Sequence, residues 1–371
     1  MSKIPELLTS LSGEKIDTVE KWEKFRRREI LNLFEEYVYG VRDIERPENL
    51  RFEIKHEDIF RGMRRREIRA SFDSFQFPFT LYLPLEQTKA LPAFVLVLHE
   101  NMENHSYFNK KGNLIFEDSL MPIKDITERG FAVAVMPTRD LYRDWMAHEH
   151  YQHGVLAAVK TPKGRQKNSW ATISAWAWGT SRVLDYLETD EKIDDKNVAV
   201  IGHSRSGKTA LWAAATDQRF KLAVPNNSGC MGAAVLRGKE GEHAKEINIS
   251  DWFCENFKDF NECEEMLPVD QHMLLALVAP RYVYVTSSQI DTWADPRAEY
   301  LSCRLASEAF ELYGLKGFEA PSEEPPLEAP IQEGHIAYHM KRGDHSITAY
   351  DWNYVMDYFE KIIKQENEER V

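Results

Sequence analysis

Short, continuous apolar runs alternate with amphipathic segments through the middle and the carboxyl-terminal half of the chain. Five of these runs are typical of strands buried on both faces, and they lie at residues 93–98, 131–136, 198–201, 222–224 and 282–285. Helical spacing of apolar residues fits the segments 170–187, 209–215, 272–278, 296–312 and 348–363. This alternation predicts an α/β fold with a mostly parallel sheet and helices on both faces, whose reactive groups lie at the carboxyl ends of strands.

The residues before the first of these runs have a different pattern. Apolar residues keep a helical spacing up to Gly40, which predicts an amino-terminal amphipathic helix that ends there. Residues 51–83 alternate between apolar and polar positions, as antiparallel strands do. We therefore predict one α/β domain over residues 1–371, with a helical and β extension over about residues 1–90.

The balance of charge narrows the classes of partner. The 371 residues include 47 basic and 60 acidic residues, a formal net charge of −13 that repels phosphate backbones and argues against nucleic acid. No stretch stays apolar for the roughly 20 residues that span a bilayer. The first ten residues, MSKIPELLTS, lack the apolar core and cleavage site of a secretory signal. We therefore expect a cytoplasmic protein without a membrane partner.

Cysteine and histidine spacing predicts neither a disulfide framework nor a metal site. Four cysteines occur, at positions 230, 254, 263 and 303, without a C-x-x-C pair, and we expect free, buried thiols. His148, His150 and His153 lie close together, but Gln152 stands where the second histidine of an H-E-x-x-H motif belongs. We interpret these three histidines as surface or structural residues.

The segment VAVIGHSRSGKT at residues 198–209 predicts a strand, a sharp turn and the start of a helix. As a nucleophile elbow, G-x-S-x-[small], it places the Ser204 hydroxyl above the sheet, with Ser206 in place of the usual second glycine. The same residues match the phosphate-binding loop G-x-x-x-x-G-K-[ST], in which Lys208 would reach the terminal phosphates of a nucleotide. Two interpretations are therefore open for this segment.

Two later side chains favour the elbow. An acyl-transfer site needs an acid and then a histidine, in the chain order Ser, Asp, His. Asp291 follows the last buried run, and His345 lies in a Gly-Asp-His loop just before the carboxyl-terminal helix. In such a triad the imidazole removes the serine proton, and the carboxylate stabilises the imidazolium. We therefore predict Ser204 as nucleophile, His345 as base and Asp291 as acid, in preference to a nucleotide-binding loop.

The tetrahedral oxyanion of acyl transfer also needs preorganised donors. The backbone N–H of Arg205, at the start of the predicted helix, is the first expected donor. Hydrolases place a second donor after the strand that corresponds to residues 93–98, and here residues 100–105 follow that strand. The sequence does not single out one residue of this group.

Six strings of residues resemble the glucuronoyl esterases of carbohydrate esterase family fifteen (CE15), especially their bacterial branch. They are AWAWG at 175–179, GHSRSGK at 202–208, NNSGC at 226–230, LPVDQH at 267–272, APR at 279–281 and WADP at 293–296. The resemblance implies the α/β-hydrolase fold and the hydrolysis of esters between glucuronic acid units of xylan and lignin alcohols, without metal or cofactor. It also implies that Arg205 helps to hold the oxyanion, that Lys208 contacts sugar hydroxyls and that Trp293 lines the sugar site.

Two features depart from that family. Many members carry a catalytic glutamate just before the Ser-Gly pair, and this chain has Asn227 there, which cannot stabilise an imidazolium by charge. We therefore expect Asp291, in preference to Asp295, to be the acid. A carbohydrate-binding pseudoenzyme is the alternative. Because an export signal is also missing, we expect the substrate to be a small imported sugar ester or an acetylated sugar.

Overall fold

The structure, a computed structural model, describes residues 4–99, 121–144, 151–159, 161, 164–248 and 251–369. In this part of the chain nine strands form one sheet. They are β1 (Arg51–Phe60), β2 (Met63–Phe72), β3 (Phe75–Pro84), β4 (Leu91–Leu98), β5 (Ala132–Pro137), β6 (Ile193–His203), β7 (Leu222–Asn226), β8 (Tyr282–Ser288) and β9 (Ile336–Lys341). The five apolar runs of the sequence coincide with β4 to β8, which confirms them as strands.

The sheet combines an antiparallel edge with a parallel majority. Its strand order is β1-β2-β3-β5-β4-β6-β7-β8-β9. The strands β1, β2, β3 and β5 pair antiparallel, and every pair from β5 to β9 is parallel. The predicted mostly parallel α/β sheet is therefore confirmed, and the antiparallel strands predicted over residues 51–83 form one of its edges.

Helices flank the sheet along the described chain. The α-helices are α1 (Val19–Lys21), α2 (Arg27–Phe34), α3 (Ile123–Glu128), α4 (Gly154–Ala158), α5 (Thr172–Leu187), α6 (Arg205–Thr216), α7 (Ala244–Ile247), α8 (Gln271–Ala276), α9 (Pro296–Leu312) and α10 (Ala349–Glu369). Short 3₁₀ helices lie at Thr138–Asp140, Glu255–Phe260 and Glu264–Met266. The two π-helical turns Trp22–Arg26 and Glu35–Tyr39 make α1 and α2 parts of one amino-terminal helical run.

From β4 to β9, each face of the sheet is buried under its own layer of helices, whereas the edge strand β1 is largely exposed. Along β4, the side chains of Ala93, Val95 and Val97 join a core with α2, α5, α6, α8 and α9. The alternate residues of the same strand, Phe94, Leu96 and Leu98, pack instead with α3 and α10. Since successive strand residues point to opposite faces, a strand covered on both sides must be apolar at every position. This is why these strands are continuous apolar runs in the sequence.

Two tryptophans of α5 belong to the first of these cores. Trp176 and Trp178 are fully buried. The indole N–H of Trp176 donates to the Tyr142 carbonyl at 2.8 Å, and that of Trp178 donates to the Glu45 carbonyl at 2.7 Å. Residues two apart on a helix face different directions, so the two rings cannot line a common pocket. They hold α5 to neighbouring chain segments.

One strand of the sheet, β9, does not follow from the apolar pattern. It carries His339 and Lys341, polar residues that interrupt the run in the sequence, yet every residue of the strand is buried. His339 contacts the Asp351 carboxylate at 2.9 Å, and Lys341 lies 3.3 Å from the same carboxylate. A buried charge is tolerated only with such partners, which come from α10 and are not visible in a local pattern.

The structure also bears on the cysteines and on membrane spans. The four cysteines are free, as expected, but only three are buried and Cys263 is partly exposed. No helix among the described residues has the length and apolar character needed to cross a membrane.

The end of the amino-terminal helical run leads to a stability prediction. Gly40 has φ 84° and ψ 151°, a region that is almost restricted to glycine, and a β-carbon there would lie 2.4 Å from the Ser169 carbonyl oxygen. Gly13 has a similar φ of 83° but open space around it. We expect Gly40→Ala to lower the free energy of unfolding by about 3 kcal/mol or more, and Gly13→Ala by about 1 kcal/mol. Urea denaturation of both variants checks this, and equal losses would contradict it.

Candidate active site

Four neighbouring parallel strands deliver residues to one edge of the sheet. Ser204 directly follows β6, Asn227 follows β7, Asp291 follows β8 and His345 follows β9. The pairing places the ends of these strands within two residues of one another, since His203 pairs with Asn226, Asn226 with Thr286, and Ser288 with Lys341. Reactive groups in open α/β sheets lie at this carboxyl edge. The order along the sheet therefore repeats the order along the chain.

The turn between β6 and α6 has the geometry of an elbow. Ser204 has φ 57° and ψ −126°, a strained conformation for a residue with a side chain, and it lies at the N-cap of α6. Gly202 allows the tight turn, because a β-carbon there would lie 2.1 Å from the carbonyl oxygen of Ser206. Ser206 is buried, and its hydroxyl contacts Nδ1 of His99 at 2.9 Å. The serine in place of the usual glycine is thus accommodated by a polar partner.

The structure brings Asp291 and His345 together. Nδ1 of His345 lies 2.6 Å from Oδ2 of Asp291. Because a carboxylate only accepts hydrogen bonds, Nδ1 carries the proton and Nε2 is left with its lone pair. The Asp291 side chain is 3% exposed and that of His345 is 42% exposed. A buried carboxylate that orients a partly exposed imidazole is the arrangement that general base catalysis requires.

Two more donors hold the Asp291 carboxylate. The Asn227 side-chain amide donates to Oδ2 at 2.7 Å, and the Ala294 backbone N–H donates to Oδ1 at 3.2 Å. Burial raises the pKa of Asp291, but the hydrogen bond and positive charge of His345, together with these donors, hold that pKa below its ordinary value. Asn227, which replaces the glutamate of many family members, therefore supports the acid at position 291.

Asp295 lies on the same loop but has different partners. Its Oδ1 accepts from the Ala298 backbone N–H at 3.0 Å, which caps α9. Its Oδ2 accepts from the backbone N–H groups of Glu240 at 2.6 Å and Gly241 at 3.1 Å. These contacts join the 240–241 loop to the start of a helix, and they occupy both carboxylate oxygens.

His203 lies beside His345. The two rings are 4.4 Å apart between centroids, and Nδ1 of His203 contacts Oδ1 of Asn226 at 2.6 Å. Burial, and then the charge of His345, lower the pKa of His203 to about 3. His203 is therefore neutral near pH 7 and packs against the imidazole of His345 without repelling its protonated form. We interpret His203 as a packing residue beside His345.

The Arg205 side chain is held in a fixed place. Its Nη1 donates to Oδ2 of Asp144 at 2.5 Å, and its guanidinium lies 4.6 Å from the ring centroid of Trp252. The Trp252 indole N–H donates to the other Asp144 oxygen at 2.7 Å. The backbone N–H of Arg205 lies at the first residue of α6, directly after Ser204. A helix amino terminus favours negative charge there. The Arg205 side chain is thus fixed by Asp144 and Trp252, and its backbone N–H directly follows Ser204 in the chain.

Lys208 and Trp293 are connected through one glutamate. Nζ of Lys208 is buried, donates to the Ser228 carbonyl at 2.6 Å and lies 3.2 Å from the Glu242 carboxylate. The Glu242 backbone N–H donates to the Trp293 carbonyl at 2.8 Å, and the Trp293 side chain extends outward, 55% exposed. A lysine bound in this way is neutralised by a carboxylate, whereas the lysine of a phosphate loop must reach an anionic ligand. The contacts of Lys208 therefore disfavour the nucleotide interpretation.

Part of the predicted site lies outside the described residues. This applies to residues 100–105, expected to supply a second oxyanion donor, and to His148 and His150. Within the described ranges, no group of three or more metal-ligating side chains comes together. His153, the third of the clustered histidines, stacks on the Tyr142 ring at 4.2 Å between centroids, a structural contact.

Comparison with known proteins identifies the family. The sequence profile described as "Glucuronyl esterase, fungi" matches residues 164–314. Carbohydrate esterase MZ0003, from an unknown prokaryotic organism, is 34% identical, and the match covers 96% of this chain and 88% of that protein. The solved glucuronoyl esterase from Solibacter usitatus is 31% identical with a TM-score of 0.87, covering 97% of this chain and 98% of that one. The chain belongs to CE15.

Membership in CE15 establishes the class of reaction. A shorter match, 35% identical over 39% of this chain and 33% of the relative, is to 4-O-methyl-glucuronoyl methylesterase 1 of Phanerochaete chrysosporium. The chain is a carboxylic ester hydrolase of the α/β-hydrolase fold that acts on carbohydrate esters. Neither the predicted cytoplasmic location nor the predicted single domain with its extension is supported by these comparisons, and both stay predictions.

Several buried polar residues around this candidate CE15 site were not found from the sequence. Ser288, Glu299 and Lys341 are buried polar residues whose partners lie on other strands or helices. Each is a common residue type without a motif, so no sequence pattern marks it. Asn227 was noticed only as a departure from the family, and its hydrogen bond to the acid became visible once β7 and β8 were paired.

Glu299, on α9, supports the turn that carries Asn227. Its Oε1 accepts from the backbone N–H groups of Ser228 and Gly229 at 2.8 and 2.9 Å, and its Oε2 accepts from the Ser287 hydroxyl at 2.6 Å. The residue is fully buried. Burial raises the pKa of Glu299 to about 7, although these hydrogen bonds oppose the rise. This CE15 enzyme thus carries a titratable carboxyl directly beneath its candidate site.

The raised pKa predicts a pH-dependent stability. Between pH 4.5, the ordinary pKa of a glutamate side chain, and about pH 7, Glu299 keeps its proton in the folded protein but loses it in the unfolded chain. The contribution of Glu299 to the free energy of unfolding is therefore fully present below pH 4.5 and is lost as pH rises through about 7. We expect wild type to lose up to roughly 3 kcal/mol relative to Glu299→Gln across this window. Urea denaturation of both proteins between pH 4.5 and 8 measures the difference, and a difference independent of pH would refute the prediction.

Proposed function

We propose that the protein hydrolyses glucuronoyl esters through a Ser204–His345–Asp291 triad and a covalent acyl-enzyme. The observation that carries this proposal is the 2.6 Å contact between His345 and Asp291 at the edge of the sheet where the strained Ser204 turn also lies. Two observations argue against nucleotide binding at the elbow, although its sequence resembles a phosphate-binding loop. The family acts on esters, and Lys208 is already paired with Glu242.

In the acylation step, the Ser204 oxygen attacks the ester carbonyl carbon while Nε2 of His345 takes the hydroxyl proton. The carbonyl π electrons move to oxygen, and the resulting oxyanion faces the Arg205 donors. When the tetrahedral intermediate collapses, the bond to the leaving alcohol breaks and His345 returns the proton to that alcohol oxygen. The Asp291 carboxylate stabilises the imidazolium between these two transfers by its charge and fixes its orientation.

In the deacylation step, a water molecule takes the place of the alcohol. His345 removes one water proton, and the hydroxide oxygen attacks the acyl carbon of the Ser204 ester. Collapse of the second intermediate breaks the bond to Ser204, which recovers its proton from His345, and releases the uronic acid. The same donors serve both steps because the oxyanion forms at the same place.

The substrate side of the site favours a uronic acid over a small acetyl group. Trp293 exposes an aromatic face beside the acid loop, and the buried Lys208–Glu242 pair lies behind it. Exposed aromatic rings next to polar side chains are suited to a sugar ring, which has both C–H faces and hydroxyl groups. Similarity to a protein named 4-O-methyl-glucuronoyl methylesterase 1 points in the same direction. Acetylated sugars are the second candidate class.

The triad is tested by substitution and kinetics on benzyl glucuronate ester. We expect Ser204→Ala and His345→Ala to lower kcat on the order of 10⁶-fold. Asp291→Asn should lower it about 10⁴-fold, since it removes the charge and the tautomer control. Asp295→Asn is the comparison on the same loop. Its remaining oxygen can still cap α9, and the contacts that it loses to the 240–241 loop are expected to lower stability and leave kcat within about tenfold of wild type. A large loss in Asp295→Asn with none in Asp291→Asn would reassign the acid.

A covalent probe separates the esterase from its alternatives. A fluorophosphonate reagent should add one adduct to the wild-type protein by intact mass and none to Ser204→Ala. Absence of a serine-dependent adduct in wild type would leave only a binding protein, for carbohydrate or for nucleotide. A ligand that binds the folded protein raises its thermal stability. A rise with magnesium and ATP would therefore support the nucleotide interpretation.

The role of Trp293 is tested with a panel of esters. We expect Trp293→Ala to raise KM for methyl and benzyl glucuronate about fivefold, since an aromatic contact contributes roughly 1 kcal/mol. Trp293→Phe should keep most of the affinity because it retains an aromatic face. Hydrolysis of a small acetyl ester should not change in either variant. Equal effects on acetyl and glucuronate esters would show that Trp293 does not bind the sugar.

A further inference from the structure

We propose that Lys341 is a positioning residue for the acid–base pair and acts through Ser288 and Asn227. Lys341 contacts neither the nucleophile nor the acid directly. It lies at the end of β9, and its contacts lead along a chain of buried side chains to Asp291. The proposal rests on the proposed function, since it assumes that Asp291 and His345 are the acid and the base.

Lys341 is buried and has three polar partners. Its side chain is 5% exposed. The ammonium donates to the Ser288 hydroxyl oxygen at 2.6 Å and to the Ser346 carbonyl at 2.6 Å, and it lies 3.3 Å from Oδ2 of Asp351. These partners come from β8, from the loop after β9 and from α10. A buried ammonium with three oxygen acceptors arranged around it has little freedom to move.

The direction of the hydrogen bonds follows from the charge of Lys341. An ammonium can only donate, so the Ser288 oxygen must accept from it. The single hydroxyl proton of Ser288 is then directed to Oδ1 of Asn227, 3.3 Å away. This assigns the carbonyl end of the Asn227 amide to Ser288 and leaves its NH₂ end to face Asp291.

The orientation of the Asn227 amide determines whether its NH₂ group or its carbonyl oxygen faces the Asp291 carboxylate. The Asn227 NH₂ group donates to Oδ2 of Asp291 at 2.7 Å, the same oxygen that accepts from His345 at 2.6 Å. If the amide were reversed, its carbonyl oxygen would face the carboxylate and repel it. Without Lys341 the Ser288 hydroxyl is free to accept instead of donate, so the reversed amide becomes accessible.

A second set of contacts fixes the segment that carries His345. Lys341 holds the carbonyl of Ser346, the residue next to His345. Its ion-pair partner Asp351 accepts from the backbone N–H of Thr348 at 2.7 Å and from the Thr348 hydroxyl at 3.0 Å. The Lys341–Asp351 pair therefore restrains the loop on the carboxyl-terminal side of the base. One ammonium thus orders both members of the acid–base pair.

The test compares Lys341→Met and Ser288→Ala with the double variant, in the full-length protein on benzyl glucuronate ester. Lys341→Met removes the charge and keeps the length of the side chain. Ser288→Ala removes the hydroxyl that links Lys341 to Asn227 and leaves Lys341 with Ser346 and Asp351, so it remains informative if Lys341→Met does not fold. Lys221→Met is the matched control, since Lys221 pairs with Glu366 and precedes the opposite end of β7.

We expect Lys341→Met to lower kcat on the order of 10- to 100-fold, as small displacements of catalytic groups do, with KM unchanged within about twofold. Ser288→Ala should lower kcat about 10-fold. The double variant should be no slower than Lys341→Met, because both changes interrupt one chain of contacts. The rate of fluorophosphonate labelling should fall in the same order, and Lys221→Met should match wild type in both measurements.

Three results would overturn the inference. A rise in KM at constant kcat would assign Lys341 to substrate binding, and additive losses in the double variant would mean separate roles. Unchanged kcat in Ser288→Ala and Lys341→Met, with activity abolished in Ser204→Ala and His345→Ala, would reject the inference while the proposed function stands. Activity retained in Ser204→Ala or His345→Ala would instead reject the proposed function.

Discussion

The parallel pairing of β6, β7, β8 and β9 is the constraint on which the candidate site depends. Residues 198–203 of β6, all of β7 and residues 283–288 of β8 are buried, and β9 is buried with its polar residues paired. The register of these strands is therefore set by packing on both sides of the sheet. A slip of one residue in any of them would move its terminal residue away from the others. Asn227, Asp291 and His345 contact one another, and Ser204 lies at the same edge, because the four strands end within two residues of one another.

Behind this edge the interior is polar, which is costly unless every group has a partner. Glu299 accepts hydrogen bonds from the 228–229 turn and from Ser287, and Lys341 is paired with Asp351. Such groups add little net stability compared with apolar residues of similar size. Their effect is on geometry, because a satisfied buried network has one low-energy arrangement. The same contacts that make these charges tolerable also orient the acid and the base.

The replacement of the family glutamate by Asn227 illustrates this dependence. Taken alone, the change removes a charge from the place where many CE15 members carry it. In the folded protein Asn227 donates to Asp291, which lies at the end of the next strand and contacts His345. A neutral donor at position 227 suits a carboxylate at 291, whereas a second carboxylate there would repel it. The two positions are thus best understood as a pair.

The sequence by itself determined the strands β4 to β8, the elbow around Ser204 and the chain order of the serine, acid and histidine, because apolar periodicity and short motifs are local properties. It did not determine β9, the different contacts of Asp291 and Asp295, or the places of Glu299 and Lys341. Those depend on which side chains meet across strands and helices far apart in the chain. A charged residue can be buried only where a polar or oppositely charged group lies within contact distance. Tertiary packing alone determines where such groups are.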